Sequence, residues 1–267
     1  MASVRLSDYA QKTGCFESKP WGQLETYEKY FSPLKDREIK LLELGVATGL
    51  SMRMWRDYFQ RGTIVGVDLN PGEVNDPRVH IYRGPQNDTA FLTRISNERA
   101  PDGFDIIIDD CAHIGELAKT SFWHLFLNHL KPGGYYIIED WGTGYWGNHL
   151  LYPDGEFFTP RSDNGAMHWL ANKVLKTGPL YRSKLGLLGR LLRRYQYTRR
   201  FPSHDYGMVG FVKQLIDECG RAEVTNPKWA DSSSHGSTGV VEYTRFSEML
   251  ITPTFVMITK IGRARSE

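Results

Sequence analysis

Phe104-Asp-Ile-Ile-Ile-Asp-Asp110 decides the fold class, because it is a short apolar run that ends in two carboxylates. Gly134-Tyr-Tyr-Ile-Ile-Glu-Asp140 repeats the pattern 30 residues later. An apolar-periodic helix is predicted between them, over about residues 114–130, and it is followed by Lys131-Pro-Gly-Gly134. A strand–helix–strand unit of this kind predicts two parallel, neighbouring strands about 4.8 Å apart. Both acidic pairs then lie together at the carboxyl edge of the sheet.

Carboxylates crowded in this way favour a bound cation. Like charges that are held close together raise one another's pKa and oppose folding unless a cation lies among them. Ligand sets made of oxygen atoms favour hard ions such as Mg²⁺, Mn²⁺ or Ca²⁺. The sequence therefore predicts a metal site at these two strand ends.

Strand and helix patterns alternate between residues 39 and 140, which predicts a doubly wound α/β fold. With a late helix over 206–219, we expect a mostly parallel sheet of seven strands. The strands predicted besides the two acidic ones are residues 39–44, 63–67, 79–82, 240–246 and 255–261. We expect a helical preface at 1–38 and one domain over 39–267, with residues 141–205 as an insertion that breaks the alternation.

Length and composition fit one elaborated globular domain. The chain has 267 residues, of which 40% are hydrophobic and 24% charged, and the formal net charge of +2 gives no general case for nucleic-acid binding. The sequence contains no run of 18 apolar residues, and its N-terminus lacks an apolar signal core. The 3 cysteines share no metal-like spacing and form no disulfide framework, which favours a reducing cytosol.

Glu43-Leu-Gly-Val-Ala-Thr-Gly49 is a glycine turn between a strand and a helix, where a ligand can approach the backbone. It departs from the Gly-x-Gly-x-x-Gly pattern of dinucleotide sites, because Ala47 stands where the middle glycine would be. Asp68 ends the next strand, where a carboxylate can accept hydrogen bonds from two ribose hydroxyls. Gln86 and Asp88 follow the third strand, within reach of an adenine amino group. An ordinary turn explains the glycines alone, but the turn, Asp68 and the metal site together favour a nucleotide cofactor.

His113 directly follows the first acidic pair, about one turn beyond Asp110, on a loop over the same edge of the sheet. A lone histidine is usually structural, but this one can face a ligand held on the predicted metal, and histidine is the residue type most often used as a general base. We therefore predict that His113 is a general base. For Asp109 two interpretations stay open, a role in the site or a hydrogen bond to local backbone, because one of two successive strand residues must point away.

The stretch from about Asp8 to Trp146, and more loosely the C-terminal strands, resembles the metal-dependent sugar O-methyltransferases of the macrocin/mycinamicin type, which are Rossmann-like, class I S-adenosylmethionine (AdoMet) methyltransferases. The matching elements are Tyr27-Glu-x-Tyr-Phe31, Leu41-Leu-Glu-Leu-Gly45, Gly66-Val-Asp68, Asp109-Asp-x-x-His113, Lys131-Pro-Gly-Gly-x-Tyr136 and Ile138-Glu-Asp140. Departures from the family pattern include Ala47, Cys111-Ala112 and the insertion at 141–205. The insertion bears on the acceptor more than on the reaction.

The resemblance implies roles for particular residues. It implies that Asp110, Glu139 and Asp140 ligate Mg²⁺ or Mn²⁺, and that His113, with Asp110, is catalytic at a sugar hydroxyl. The residues predicted to bind AdoMet are Glu43, Gly45, Gly49, Ser51, Asp68, Gln86, Asp88 and Asp109.

The insertion at 141–205 is rich in aromatic residues, glycine and proline. Exposed tryptophan and tyrosine rings offer flat apolar faces to sugars, so we predict that the insertion is a lid in which Tyr145 and Trp146 bind the acceptor. The same composition also fits a segment that packs on its own core. Its basic stretch at 181–200 fits a solvated basic helix, or peripheral contact with an anionic membrane.

The sequence thus predicts metal-dependent methyl transfer from AdoMet to a hydroxyl of a sugar, oligosaccharide or glycoside, by a cytoplasmic homo-oligomer. A catechol or phenolic acceptor is an alternative, and so is a non-catalytic AdoMet-binding scaffold, although the intact set of acidic residues and His113 argues against the scaffold. A nucleic-acid acceptor is not expected, because the Asn/Asp-Pro-Pro-aromatic signature of base methylation is absent after the fourth strand.

Overall fold

The computed structural model describes residues 4–145, 207–220 and 245–262. The helices are α1 (Leu6–Thr13), α2 (Trp21–Phe31), α3 (Leu50–Tyr58), α4 (Thr89–Arg99), α5 (Gly115–Asn128) and α6 (Gly207–Gly220), and 3₁₀ turns cover Cys15–Glu17, Ser32–Leu34 and Trp141–Tyr145. The strands are β1 (Lys40–Leu44), β2 (Thr63–Asp68), β3 (Val79–Arg83), β4 (Phe104–Asp109), β5 (Leu130–Glu139), β6 (Phe246–Ile251) and β7 (Phe255–Lys260). Most of the predicted insertion, from residue 146 onward, lies outside the described residues.

The seven strands form one sheet in the order β3-β2-β1-β4-β5-β7-β6. The predicted number of strands is confirmed, and strands β1 to β5 pair in parallel. The sheet is nevertheless mixed, because β7 is antiparallel to both of its neighbours. Only Thr252–Thr254 separate β6 from β7, and so short a connection permits antiparallel pairing alone.

Strand β6 begins at Phe246, where the predicted strand over 240–246 was expected to end. It is the edge strand of the sheet, and its burial alternates irregularly, with exposed Ser247 and Glu248 following the buried Phe246. An edge strand with one open face lacks the continuous apolar run that marks a central parallel strand. The sequence pattern therefore misplaced its boundaries, and residues 240–244 lie outside the described part of the chain.

A hydrophobic core lies on each face of the sheet. One core joins the sheet to α4, α5 and α6, and the other joins it to α1, α2 and α3. In the second core the Tyr27 ring lies 5.1 Å from Phe31 and 4.9 Å from Phe255, between centroids. The N-terminal helices thus pack directly against the sheet, and α2 is held beside the end of β5.

The strand register brings the carboxyl ends of β1, β4 and β5 into line. Leu44 pairs with Asp109, and Asp109 pairs with Ile138. The next residues along the chain, Gly45, Asp110 and Glu139, therefore emerge at one edge. Gly45 has φ +97°, and a Cβ there would lie 2.0 Å from the Asp110 carbonyl oxygen, so only glycine lets these two strand ends meet.

No helix among the described residues is long and apolar enough to cross a membrane.

Candidate active site

Residues with strained backbone conformations lie at the carboxyl edge of the sheet. Three non-glycine residues of the described chain have positive φ: Ala47 at 45°, His113 at 52° and Asp140 at 50°. Each follows the end of one central strand, β1, β4 or β5. A left-handed backbone is disfavoured for such residues and persists where the surrounding structure holds it, often at functional sites. A hydrogen bond to the turn between β6 and β7 holds the Asp140 backbone, whose N–H donates to the Thr254 carbonyl at 2.7 Å.

Asp110, His113 and Asp140 form what we call the outer group, with one ligand atom of each residue within 4.8 Å of the others. The His113 Nε2 atom lies 3.8 Å from Asp110 Oδ1 and 3.9 Å from Asp140 Oδ2. The Asp140 side chain is 54% exposed and the Asp110 side chain 25%, so both can be reached from solvent. The two carboxylates supply the oxygen ligands that suit Mg²⁺ or Mn²⁺, and the imidazole lies beside them.

Glu139, the third ligand that the resemblance implies, has protein partners in this structure. Its two carboxylate oxygens each accept a hydrogen bond of 2.7 Å from Lys19 Nζ. Its Oε1 atom also accepts from the Tyr27 hydroxyl at 2.7 Å. Burial and the neighbouring Asp110 raise the pKa of Glu139, while Lys19 and Tyr27 oppose that rise. Glu139 lies buried at the expected edge and is not one of the three residues whose ligand atoms lie within 4.8 Å of one another, so its role as a metal ligand stays a prediction.

Lys19 is the site residue that the sequence analysis missed. It precedes α2, its side chain is 1% exposed, and its Nζ lies 2.9 Å from Asp110 Oδ2 and 3.6 Å from Glu43 Oε1. Burial alone would lower its pKa, but Asp110, Glu139 and Glu43 outweigh burial and hold the pKa of Lys19 well above its usual value. The protein thus supplies an ammonium among the acidic residues. No sequence spacing signals this contact, because 91 residues separate Lys19 from Asp110.

Glu43 lies at the base of the site, where it is fully buried. Desolvation by burial raises the pKa of Glu43 to about 7, against the lowering effect of Lys19. A carboxyl that titrates near neutrality at the end of β1 marks this edge as electrostatically unusual. Ser51, which was predicted to bind the cofactor together with Glu43, is the second residue of α3 and directly follows the glycine turn.

Asp68 closes the glycine turn. Its Oδ2 atom accepts hydrogen bonds of 2.9 Å from the N–H groups of Val46 and Ala47, and its Oδ1 atom accepts one of 2.7 Å from Asn70. Burial favours the neutral carboxyl, but the backbone N–H groups outweigh it and lower the pKa of Asp68. The structure therefore gives Asp68 a structural task at the turn. Its Oδ2 atom already accepts two hydrogen bonds, so Oδ1 is the oxygen that a ligand could use.

Gln86 and Asp109, both predicted to bind the cofactor, are buried and hydrogen-bonded to each other. The Gln86 Nε2 atom donates to Asp109 Oδ1 at 3.1 Å, and its Oε1 atom accepts from the Ala112 N–H at 3.0 Å. Ser121 donates to Asp109 Oδ2 at 3.0 Å. The strand pleat turns Asp109 away from the face that Asp110 uses. This buried cluster braces the loop that carries His113.

Asp88 caps a helix. It is the N-cap of α4, and its Oδ1 atom accepts from the Phe91 N–H at 3.0 Å. This capping hydrogen bond satisfies one otherwise unpaired N–H of the first turn, and the predicted cofactor contact of Asp88 stays a prediction.

The two predicted acceptor-binding residues lie at the border of the described chain. Tyr145 ends the 3₁₀ turn after β5, is 52% exposed, and has its ring centroid 6.1 Å from that of Trp141. Trp146 lies outside the described residues, as does the basic stretch at 181–200.

Comparison with known proteins identifies the relatives of this site. The chain is 41% identical over 128 residues to the mycinamicin VI 2''-O-methyltransferase of Micromonospora griseorubida, which covers 45% of this chain and 31% of that protein. It is 36% identical over 151 residues to the demethylmacrocin O-methyltransferase of Streptomyces fradiae, covering 52% of this chain and 38% of that one. Its homologues are sugar O-methyltransferases of the macrocin/mycinamicin type. The resemblance stated from the motifs is thereby confirmed. No family model matches the chain.

Solved structures support the fold. The MycE methyltransferase of the mycinamycin biosynthetic pathway, in complex with Mg, SAH and mycinamycin VI, matches 100% of this chain and 57% of its own with a TM-score of 0.62 and 23% identity. A second MycE structure, with Mg and SAH, gives a TM-score of 0.64 at 24% identity and covers 98% of this chain and 55% of that one. At these identities the likeness establishes a methyltransferase fold.

The chain spans 31% to 38% of the length of these two curated relatives. What the longer proteins do with their remaining residues therefore does not transfer to this chain by similarity alone.

Proposed function

We propose that this chain catalyses metal-dependent methyl transfer from AdoMet to a hydroxyl group of a sugar. The observation that carries the proposal is the convergence of Asp110, His113 and Asp140 at the strand ends, beside the glycine turn at 45–49. The homologous sugar O-methyltransferases, and the methyltransferase fold of the chain, support the same reaction.

Each residue of the outer group has a task in this reaction. Asp110 and Asp140 would hold a divalent ion, which lowers the pKa of a bound hydroxyl when it is present. His113 Nε2 would accept the hydroxyl proton. Its two carboxylate neighbours, at 3.8 and 3.9 Å, would stabilise the positive imidazole ring that forms. His113 is 8% exposed, so its neighbours restrict the orientation of the ring, which supports a fixed direction of proton transfer.

AdoMet is proposed to lie across the glycine turn, with Asp68 on its ribose. The Gly45 and Gly49 backbones leave the turn open to a ligand, and Glu43 and Ser51 flank it. Gln86 and Asp109, through the buried cluster, and Asp88, through the helix cap, also support the loops around this crevice, and their direct contacts with AdoMet remain part of the proposal.

The acceptor is proposed to be a sugar carried on a larger molecule, selected by the insertion at 141–205 acting as a lid. The half-exposed Tyr145 ring, which follows the acidic end of β5 directly, supports this placement. Replacing Tyr145 by Ala should raise the KM for the acceptor and leave AdoMet affinity nearly unchanged, since a stacking face would be lost. An unchanged acceptor KM in that variant would move acceptor choice to the exposed Trp21 of α2.

The deciding experiment is mass spectrometry of products after incubation with AdoMet, Mg²⁺ and a panel of glycosides, free sugars and catechols. Methylated glycoside is expected, EDTA should abolish it, and added Mg²⁺ should restore it while AdoMet binding survives. His113→Ala serves as the inactive comparison. A methylated catechol without a methylated sugar would show that the acceptor is a catechol and not a sugar. Full activity in rigorously metal-free protein would contradict the metal-dependent reaction.

A further inference from the structure

The acidic site contains a cation of its own. Lys19 Nζ lies 2.7 Å from both oxygens of Glu139, 2.9 Å from Asp110 Oδ2 and 3.6 Å from Glu43 Oε1. We call these residues the inner group. Its lysine comes from the segment that joins α1 to α2, far from the strands in sequence, and it is 1% exposed. The Lys19 ammonium donates hydrogen bonds to two carboxylates, those of Asp110 and Glu139, and Glu43 lies close enough only for an ion pair.

Asp110 belongs to both groups, because its two oxygens face different ways. Oδ2 accepts from Lys19, while Oδ1 lies 3.8 Å from His113 Nε2 in the outer group. A divalent ion held by the outer group would therefore share a carboxylate with the ammonium. Because both cations would then interact with one carboxylate, their like charges would repel each other.

We propose that Lys19 is a resident cation that shares the acidic site with the divalent ion, holding Glu139 in the inner group and weakening the binding of the ion in the outer group. The inference rests on the proposed function, because it assumes that an ion occupies the outer group during methyl transfer.

The charges of the two groups fit a lysine ammonium in the inner group and a divalent ion in the outer group. Glu43, Asp110, Glu139 and Asp140 bring four carboxylates to the site, and Lys19 is the ammonium within reach of the inner three. One positive charge leaves a negative excess, so the outer group, whose two carboxylates can be reached from solvent, still attracts an ion. The ammonium nevertheless reduces that attraction. Removing it should tighten metal binding and make the metal-free protein less stable.

Two neutral variants test this, Lys19→Met and Lys19→Gln, beside Lys19→Arg, which keeps the charge. Lys12→Met is the matched control, because Lys12 is another paired lysine of the N-terminal segment whose partner, Asp57 at 3.1 Å, lies outside the site. Calorimetry with Mn²⁺ and with Mg²⁺ gives the affinities, and thermal unfolding with and without the ion gives a second measurement that does not depend on activity. We expect at least about tenfold tighter binding in the neutral variants, or about 1.4 kcal/mol, and a larger rise in Tm on adding the ion. Lys19→Arg and Lys12→Met should bind the ion as the wild type does.

Each outcome decides the proposal. Neutral variants that fold only when the ion is present support it, because the ion then replaces the lost charge. Folded neutral variants with equal or weaker affinity overturn it, since Lys19 would then only position Glu139. Neutral variants that fail to fold at any ion concentration overturn it as well. The proposed function fails in a different way, by the absence of methylated glycoside from a wild type whose neutral Lys19 variants still gain metal affinity.

Discussion

The Tyr27 hydroxyl offers a sharp test of how the N-terminal helices support the acidic site. It donates to Glu139 Oε1 at 2.7 Å, and the Tyr27 side chain is fully buried. Burial raises the pKa of Tyr27 well above its usual value, so the phenol stays protonated and continues to donate. Tyr27→Phe removes this one donor and leaves the ring contacts with Phe31 and Phe255 in place.

The expected loss follows from the chemistry of that contact. A hydrogen bond to a charged group contributes about 1.5–3 kcal/mol, and a buried acceptor left without it loses solvation as well. Lys19 keeps both oxygens of Glu139 partnered, so we expect about 2 kcal/mol in the free energy of unfolding. For a chain of this size that corresponds to a fall in Tm of about 4–8 °C.

Urea unfolding measures the change, with Tyr30→Phe as the control in the same helix. The Tyr30 hydroxyl contacts Glu248 at 3.4 Å in an exposed position, so its loss should cost less than about 0.5 kcal/mol. Equal losses for Tyr27→Phe and Tyr30→Phe would refute the reasoning, because the buried hydrogen bond to Glu139 would then contribute nothing beyond an exposed one.

Three further predictions concern the edge of the sheet. His113→Ala should lower kcat by about 10²–10⁴ with AdoMet affinity unchanged, and a kcat within a few-fold of wild type would assign the proton to another group. Asp68→Ala should weaken AdoMet binding about ten- to hundredfold in calorimetry, and unchanged affinity would remove Asp68 from the cofactor site. Because burial raises the pKa of Glu43 from 4.5 to about 7, the folded protein keeps a proton that the unfolded chain releases, so wild-type stability should fall as pH rises from 4.5 to 7. The free energy of unfolding, measured in urea at pH 5 and pH 8, should therefore fall with pH by up to about 3 kcal/mol less in Glu43→Gln than in the wild type. Equal pH dependence in both proteins would contradict the burial of an ionisable Glu43.

Several features of the site followed from local patterns. The run Phe104–Asp110 and its repeat at 134–140 indicated parallel strands whose carboxylates meet at one edge, and the register of β4 and β5 confirms that pairing. Gly45 was expected to admit a ligand. The structure adds a second reason for glycine at this position, because a side chain there would collide with the Asp110 backbone. Sequence spacing does not predict that contact, since Asp110 follows a different strand.

The sequence by itself determined which strands end in acidic residues and which turn is open to a ligand, because strand periodicity and glycine turns are local properties of the chain. Only the tertiary structure decided which of those residues face the site. The strand pleat turns Asp109 inward to Gln86. The ammonium of Lys19 contacts Glu139, which is 120 residues away in sequence. Glu43 is desolvated because the folded chain buries it completely. Side-chain direction, long-range ion pairs and burial depend on neighbours that are distant along the chain, and only the folded arrangement of α1, α2 and the sheet brings those neighbours together.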